Sequence, residues 1–176
     1  MNNRKVPFKN EELILVNEKD EIIGYETKAK CHEGEGLLHR AFSIFIFNSK
    51  NELLIQKRSN KKLLWHDYWS NSCCSHPRKG ETMEIATQRR LFEELGLENP
   101  LKFEFKFQYQ DKFKNIGSER ELCYVFTGYN DKLPIINQDE ISDWRYINKQ
   151  ELLSQINKKT DMFTPWFLLE LEKLKW

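Results

Sequence analysis

Residues 41–47 read AFSIFIF, a nearly continuous run of aromatic and β-branched side chains. A short apolar run of this composition predicts a strand that is buried on both faces. The polar turn NSKNE follows it, and LLIQKR (residues 53–58) predicts the next strand. Upstream, residues 13–16 and 22–25 flank the polar stretch NEKDE and predict a hairpin.

Helical spacing replaces strand patterns between residues 81 and 95. Ile85, Leu91, Phe92 and Leu95 are predicted to share a broad apolar face, and Gly96 suits a C-terminal cap. Strands are predicted at residues 101–109, 121–129 and 144–147, and helices at residues 150–156 and 165–175. Pro165 suits the first helical position, with Thr164 as N-cap. This order of elements predicts an α/β (α+β) fold, a mixed α/β sandwich.

The bulk composition points to one globular domain. The chain has 176 residues and a mass of 21.3 kDa, which suits a single core over residues 1–176. Its net charge is +1 with acids and bases intermixed, so we expect no nucleic-acid or membrane partner. The start, MNNRKVPFKNEEL, lacks the apolar stretch of a secretory signal, and we expect a cytoplasmic protein with free thiols at Cys31, Cys73, Cys74 and Cys123.

The segment WSNSCCSHPRKGE (residues 69–81) concentrates reactive side chains. Cys74 in it can be a core thiol, half of a disulfide, a metal ligand or a catalytic group. A disulfide to Cys73 is disfavoured because bonds between adjacent cysteines are strained. Pro77 restricts His76 to extended backbone, so we expect Cys74 and His76 to point the same way.

Other candidate metal ligands lie far away in the sequence. His32 and His39 flank a glycine-rich loop, and Glu119 and Glu121 are spaced to share one face of a strand. Taken singly, a solvated or core-capping histidine is the commoner reading, and the two glutamates can be a solvated strand end. With His76 they make a five-ligand N/O set that suits Mn²⁺, Mg²⁺ or Zn²⁺. A competing hypothesis is a structural zinc site made of Cys31, His32, Cys74 and His76.

The stretch RRLFEELGL (residues 89–97) places Glu93 and Glu94 in the last helical turn, where the helix dipole disfavours negative charge. They can be metal ligands, or Glu94 can simply pair with Arg90 on the helix surface. Basic residues that suit a diphosphate pocket surround these acids: Lys28, Arg58, Lys61, Lys62, Arg78, Lys79, Arg89 and Arg90. Tyr109 and Trp166 can be packing anchors, and Trp166 can alternatively face a cationic intermediate.

Taken together, these segments resemble type 1 isopentenyl-diphosphate Δ-isomerase, a family of the Nudix superfamily. The resemblance spans about residues 25–170, and its motifs occur in the family's order: HRAFSIFIFN, WSNSCCSHPRKGE, RRLFEELG, ERELC and TPWF. It implies a Nudix α/β/α sandwich with an N-terminal extension over about residues 1–30.

The general Nudix box departs from its usual pattern in this chain. Ala86 stands where the box has its first glutamate, and Arg89-Arg90 stands where it has Arg-Glu; Glu93, Glu94 and Gly96 are kept. These changes remove acids that Nudix hydrolases use to bind metal. They count against nucleoside-diphosphate hydrolysis and are similar to the form found in the isomerases.

The resemblance also implies a role for individual positions. Cys74 and Glu121 would be the catalytic acid/base pair, with Tyr109 near the glutamate and Trp166 beside the hydrocarbon end of the substrate. Glu94 and the main-chain carbonyl of Cys74 would hold a Mg²⁺ that bridges to the diphosphate. His32, His39, His76, Glu119 and Glu121 would bind the main metal, and the diphosphate contacts would be Lys28, Arg58, Lys62, Arg90 and, more weakly, Ser75.

The implied reaction interconverts isopentenyl diphosphate and dimethylallyl diphosphate through a tertiary carbocation. It needs a proton donor and a proton acceptor on opposite faces of the alkene, and a pocket that excludes water. We expect the small-molecule substrate to be the partner of this chain. The chain would be a monomer or a homodimer. The alternatives are a Nudix hydrolase and a non-catalytic module stabilised by zinc.

Overall fold

A computed structural model describes residues 11–176. Its nine strands, β1 to β9 in chain order, are Glu12–Val16, Ile22–Thr27, His39–Phe47, Leu53–Arg58, Trp69–Ser70, Cys73–Ser75, Lys102–Phe113, Gly117–Tyr129 and Ile141–Ile147. The helices α1 to α4 are Lys28–Cys31, Met83–Leu95, Lys149–Lys158 and Pro165–Lys173. A 3₁₀ turn, Thr160–Met162, joins the last two helices. The predicted strands and helices are therefore confirmed, with ends that differ by a few residues.

Strand β3, which contains AFSIFIF, is the centre of the sheet. It runs parallel to β8 over nine register pairs, from His39 opposite Glu121 to Phe47 opposite Tyr129. It also pairs antiparallel with β6, where Ser43 lies opposite Cys74. Strands β7 and β8 form a long antiparallel hairpin, and β4 pairs with β9. This pairing brings residues 39, 74 and 121, distant in sequence, to neighbouring positions.

Alternate residues of β3 face two separate cores. Ala41, Phe45 and Phe47 pack in a cluster with residues of α3 and α4. Phe42, Ile44 and Ile46 pack in a second cluster against α2. Because side chains of a strand alternate between its faces, both faces of β3 must be apolar. The result is the predicted α/β/α sandwich, with β3 buried between the helices.

The apolar face predicted for α2 is partly wrong. Ile85 and Phe92 are 56% and 47% exposed, whereas Arg90 and Glu94 are almost completely buried. The helix turns its Arg90–Glu94 side inward because these two residues form buried ion pairs there. The predicted C-terminal cap is confirmed, since Gly96 adopts left-handed backbone with φ of 66°.

Thr164 occupies the predicted N-cap position of α4, and Pro165 begins the helix. Its hydroxyl does not cap the helix but hydrogen-bonds Ser70 Oγ at 2.9 Å. The predicted extension at residues 1–30 lies partly outside the described residues, which begin at residue 11. Within residues 11–30 the chain forms β1, β2 and the start of α1. Across residues 11–176, none of the helices has the length and hydrophobicity needed to cross a membrane.

Candidate active site and metal centre

Five potential metal ligands converge at one end of β3 and β8. His39 opens β3, Glu119 and Glu121 share a face of β8, His76 follows β6, and His32 follows α1. One donor atom from each side chain lies within 4.8 Å of the donor atoms of the other four. We call this group the His/Glu cluster. It brings together the five N/O ligands that the sequence proposed, and it contains no cysteine.

Gly117 allows the His32 loop to approach β8. A Cβ atom on this glycine would lie 2.5 Å from the carbonyl oxygen of His32. The approach is held by hydrogen bonds from Ser118, whose N–H donates to His32 O at 3.0 Å and whose hydroxyl donates to Gly34 O at 2.6 Å. Any larger residue at position 117 would push His32 away from Glu119.

Hydrogen bonds from Nδ1 set the tautomers of two histidines of the cluster. His32 Nδ1 lies 2.6 Å from Lys28 O, and His39 Nδ1 lies 2.7 Å from Leu37 O. A carbonyl oxygen only accepts, so each Nδ1 donates its proton and a neutral ring keeps a lone pair on Nε2. The Nε2 atoms face carboxylates, with His32 Nε2 2.7 Å from Glu119 Oε2 and His39 Nε2 3.7 Å from Glu121 Oε1.

These contacts leave buried acceptors without donors. His39 Nε2 and Glu119 Oε2 have no hydrogen-bond partner, although both are buried. Acceptors that face one another in a buried site need a cation between them. Backbone carbonyls that orient ligating imidazoles are also typical of metal sites. The donor set therefore fits a divalent metal ion.

The pKa values of the cluster follow from its burial and its mixed charges. Burial, together with the neighbouring His32, lowers the pKa of His39 to about 3. Burial alone would raise the pKa of Glu119, but His32 holds it below the usual value. Burial and the nearby Glu119 charge raise the pKa of Glu121 well above its usual value. Glu119 is thus the ionised member of the pair, and Glu121 holds a proton more readily.

A cavity of about 420 Å³ opens beside the cluster. Its volume lies in the usual range of small-molecule sites. Eleven of the residues proposed from the sequence line it: Lys28, His32, Arg58, Lys62, Cys74, Ser75, His76, Tyr109, Glu119, Glu121 and Trp166. Three proposed residues do not line it, namely His39, Arg90 and Glu94.

Cys74 lies on β6 with its side chain toward this cavity, while its neighbour Cys73 is buried in the core against α2. Arg58 Nη1 lies 3.6 Å from Cys74 Sγ. Burial raises the pKa of Cys74 to about 12, and Arg58 offsets only part of this rise. All four cysteines are free. Cys74 therefore carries its proton at neutral pH, as a proton donor must.

Glu121 and the aromatic residues form the other part of the cavity wall. Tyr109 lies opposite Glu121 in the β7–β8 register, and its hydroxyl donates to Glu121 Oε2 at 2.7 Å. His76 Nε2 lies 2.8 Å from Glu121 Oε1. Trp166 is 3% exposed, and its indole N–H lies 3.1 Å from Ser70 Oγ. The guanidinium of Arg58 lies over the Trp166 ring, 5.1 Å from the centroid.

Arg90 and Glu94 lie beneath the cavity in a second charged group. Arg90 contacts Glu93 at 2.8 Å, Glu94 at 2.5 Å and Glu140 at 2.9 Å. Glu140 also pairs with Lys62. We call this group of five residues the Arg90 cluster. The i,i+4 pair between Arg90 and Glu94, one of the two interpretations of this helix, is present in the structure.

Glu140 is a cavity residue that sequence reasoning missed. It is 1% exposed and holds both Lys62 and Arg90, so it orders two of the cations proposed to bind the diphosphate. An acid in the irregular segment directly before β9 carries no sequence signal of this role. Lys61, named only among the surrounding bases, and Leu63 also line the cavity.

Comparisons with known proteins identify the family of this chain. A family model described as NUDIX domain matches residues 37–167. "Isopentenyl-diphosphate Delta-isomerase 1" of Photorhabdus laumondii is 47% identical over 163 residues, which cover 91% of this chain and 92% of that protein. "Isopentenyl-diphosphate Delta-isomerase I, chloroplastic" of Arabidopsis thaliana is 37% identical, covering 98% of this chain and 68% of that protein.

Solved structures agree at the level of the fold. A crystal structure from Deinococcus radiodurans matches with a TM-score of 0.70 and 28% identity, covering 84% of this chain and 90% of that one. A MutT NUDIX hydrolase from Burkholderia pseudomallei matches with a TM-score of 0.60 and 16% identity, covering 78% and 98%. The family model and the high identity over most of the chain show that this chain belongs to the NUDIX domain family and, within it, to the isopentenyl-diphosphate Delta-isomerases.

Proposed function

We propose that this chain interconverts isopentenyl diphosphate and dimethylallyl diphosphate in isoprenoid biosynthesis. One observation carries the proposal: Cys74 and Glu121 line the same cavity as the cations Lys28, Arg58 and Lys62. A proton donor, a proton acceptor and an anion site in one pocket are the parts that this reaction needs. Membership of the isomerase group supports the same conclusion.

Cys74 and Glu121 exchange protons with the two ends of the allylic unit. One group donates a proton to the terminal alkene carbon, which leaves a tertiary carbocation. The other then removes a proton from the methylene next to the cationic carbon. The electron pair of that C–H bond forms the new double bond. The buried thiol of Cys74 holds its proton at neutral pH, and Tyr109 orients the carboxyl of Glu121 through a 2.7 Å hydrogen bond. Either of the two groups can serve as the donor, and the other then acts as the acceptor.

Trp166 stabilises the cationic centre. Its ring already lies against the guanidinium of Arg58, so its π face accepts a cation in the substrate-free protein. Trp65 packs edge-on against it at 5.3 Å, and Tyr109 lies 6.3 Å away. These rings keep water from the carbocation, which water would trap as an alcohol.

The diphosphate binds to the cationic part of the cavity. Lys28, Arg58, Lys62 and the hydroxyl of Ser75 reach it directly. Burial, Lys62 and Arg90 lower the pKa of Lys28 to about 8, so an anion at this position would favour the charged form. Arg90 lies below the cavity floor and acts through Glu140 and Lys62. Binding of the unreactive end thereby positions the alkene.

Two metal positions complete the proposal. His32, His39, His76, Glu119 and Glu121 would hold Mn²⁺, Mg²⁺ or Zn²⁺, and Glu94 with the main-chain carbonyl of Cys74 would hold Mg²⁺ next to the diphosphate. When bound, these ions supply positive charge for the buried carboxylates and the diphosphate oxygens. The balanced surface charge favours a cytoplasmic enzyme, monomeric or homodimeric, without nucleic-acid or membrane partners.

The two alternatives fit the site less well. A Nudix hydrolase would need carboxylates at positions 86 and 90, and Arg90 instead neutralises Glu93 and Glu94. A zinc module built on thiolates would need Cys31 and Cys74 beside His32 and His76. Cys31 Sγ instead lies 3.8 Å from Glu26 O, and the ligand group contains only histidines and glutamates.

Proton NMR tests the proposed reaction directly. Purified protein is incubated with isopentenyl diphosphate and Mg²⁺ in D₂O. We expect the terminal vinylidene signals to disappear while deuterated dimethylallyl signals grow. Unchanged substrate with folded, metal-loaded protein would exclude isomerase activity, and nucleoside diphosphate derivatives would then be assayed for hydrolysis.

A Cys74→Ser variant tests the role of the thiol. The thiol of Cys74 is not one of the proposed metal ligands, and serine keeps the main-chain carbonyl, so we expect the variant to keep its fold and metal content but to lose nearly all turnover. Cys31→Ser is the matched control, since Cys31 is buried away from the cavity. Wild-type turnover in Cys74→Ser would remove Cys74 from the mechanism.

A further inference from the structure

Glu170 is a buried acid that the proposed mechanism does not use. It lies in α4 and is 0% exposed. Cys123 Sγ donates to Glu170 Oε1 at 3.5 Å, and the same sulfur lies 3.6 Å from Ser43 Oγ. Glu170 Oε2 has no hydrogen-bond partner. A carboxyl group in the core therefore contacts a thiol of β8, which in turn contacts a hydroxyl of β3.

The surroundings of Glu170 suit a neutral carboxylic acid. Cys123 and Ser43, from the two strands packed against α4, carry no charge. Within residues 11–176, no lysine, arginine or histidine forms an ion pair with Glu170. Glu170 interacts electrostatically with Glu121, and a charged Glu170 would raise the pKa of Glu121 further. Burial raises the pKa of Glu170 to about 8, and the hydrogen bonds from Ser43 and Cys123 offset this only in part. An unpaired buried carboxylate would be costly here.

The position of Glu170 ties it to the active site. Trp166 and Glu170 are four residues apart in α4 and therefore lie on one face of the helix, one turn apart. Cys123 follows Glu121 by two residues in β8, so their side chains share a face of the strand. Ser43 lies opposite Cys74 in the β3–β6 register. The contacts of this one carboxyl group thus join α4, which carries Trp166, to β8, which carries Glu121, and through Cys123 to β3, the strand that pairs with the Cys74 strand.

We propose that Glu170 is a positioning residue of the isomerase site: its neutral carboxyl group, bound to Cys123, holds the first turn of α4 so that Trp166 closes the cavity next to Glu121. This inference rests on the function proposed above. Glu170 acts through Trp166 and does not touch the substrate. Replacing it should move the indole ring and lower kcat, with little effect on diphosphate binding.

The indole N–H of Trp166 reports this position without turnover, because it lies 3.1 Å from Ser70 Oγ. Its ¹H–¹⁵N resonance is identified with Trp166→Phe. In Glu170→Leu we expect this resonance to shift or broaden, and kcat to fall on the order of 10- to 100-fold, with KM changed less than about 3-fold. Glu170→Gln, which still accepts a hydrogen bond from Cys123, should keep the wild-type indole resonance and the wild-type kcat. An unmoved resonance and wild-type kcat in Glu170→Leu would overturn the proposal.

Two further variants serve as controls for Glu170→Leu. Glu172→Leu makes the same change on the exposed side of α4 and should alter neither the resonance nor kcat. Cys123→Ala removes the donor without adding volume and should move the Trp166 resonance in the same direction as Glu170→Leu. If Glu170→Leu does not fold, Cys123→Ala decides alone, and an unmoved resonance there contradicts the proposal.

The pH dependence of stability separates a neutral acid from a merely well-packed side chain. Between the ordinary carboxyl pKa of 4.5 and about 8, folded Glu170 keeps a proton that the unfolded chain has lost. Stability therefore falls as pH rises through this window. Glu170→Gln cannot lose a proton, so its stability relative to wild type should increase from pH 5 to pH 8. A stability difference that stays constant from pH 5 to pH 8 would show that Glu170 is ionised in the folded protein. It would contradict the proposal that a neutral carboxyl group holds α4.

These outcomes distinguish the two proposals. If the wild-type protein does not isomerise isopentenyl diphosphate, the proposed function fails. The indole resonance and the stability difference would still report whether Glu170 anchors Trp166. If turnover is present and Glu170→Leu behaves as wild type, only the positioning role fails.

Discussion

The His/Glu cluster and the Arg90 cluster both bury carboxylates beside the cavity, and they satisfy them in different ways. In the Arg90 cluster every carboxylate faces a cation, since Arg90 contacts Glu93, Glu94 and Glu140, and Lys62 contacts Glu140. In the His/Glu cluster, imidazole Nε2 atoms face carboxylates, and His39 Nε2 has no hydrogen-bond partner.

This difference shows how burial can serve two purposes. A buried acid matched by arginine is a structural element that orders neighbouring cations. A buried acid matched only by neutral imidazoles remains open to a metal ion or a proton. The chemistry of this protein is therefore expected in the His/Glu cluster, and support for the diphosphate site in the Arg90 cluster.

Removing the proton-transferring acid of the His/Glu cluster should have the largest effect. In Glu121→Gln we expect turnover to fall by up to about 10⁴-fold, because the amide cannot exchange a proton with substrate and binds metal poorly. The measurement is the NMR assay with isopentenyl diphosphate in D₂O. Glu98→Gln, an exposed site, is the control and should match wild type. Activity within tenfold of wild type in Glu121→Gln would place the acid/base elsewhere.

Breaking the Arg90 cluster should cost stability. Arg90→Met leaves Glu94 and Glu140 buried without their shared cation, and we expect a loss of about 3–5 kcal/mol in the free energy of unfolding. Urea denaturation measures it. Lys102→Met, which removes an exposed ion pair with Glu104, should lose no more than about 1 kcal/mol. Equal losses in the two variants would contradict the contrast between a buried and a surface position.

Metal removal from the substrate-free protein should act at the His/Glu cluster, because the second proposed ion binds next to the diphosphate. At a free metal concentration of 100 Kd, binding adds about 2.7 kcal/mol of stability, and removing the metal with a chelator should lower Tm by about 5–10 °C. His39→Gln should lose this response, whereas Arg90→Met should keep it at a lower Tm. A wild-type Tm that does not depend on metal would show that the cluster binds none.

Acid should weaken the metal-free protein through the same cluster. The pKa of His39 is about 3 in the folded protein and near 6.5 when unfolded. The unfolded chain therefore binds more protons between these values, and stability falls as pH drops below 6.5. From pH 6.5 to pH 5, His39 should account for about 2 kcal/mol. Denaturation in chelator at both pH values measures it, and a flat profile would mean that His39 is charged when folded.

The sequence by itself determined most of the fold and named the candidate site residues. The nearly continuous apolar run AFSIFIF predicted that both faces of β3 are buried, and the order of motifs indicated the isomerase family. The period of two between Glu119 and Glu121 placed both carboxylates on one face of β8. Local patterns suffice for these features because strand and helix periodicity are set by the backbone.

The tertiary structure decided what periodicity cannot express. The inward face of α2 depends on Glu140, fifty residues away, which makes burial of Arg90 and Glu94 favourable while Ile85 and Phe92 stay exposed. The neutral anchor at Glu170 likewise depends on Cys123 and Ser43 in other strands. Whether a charged residue is buried depends on the partner that meets it, and only the folded chain brings the two together.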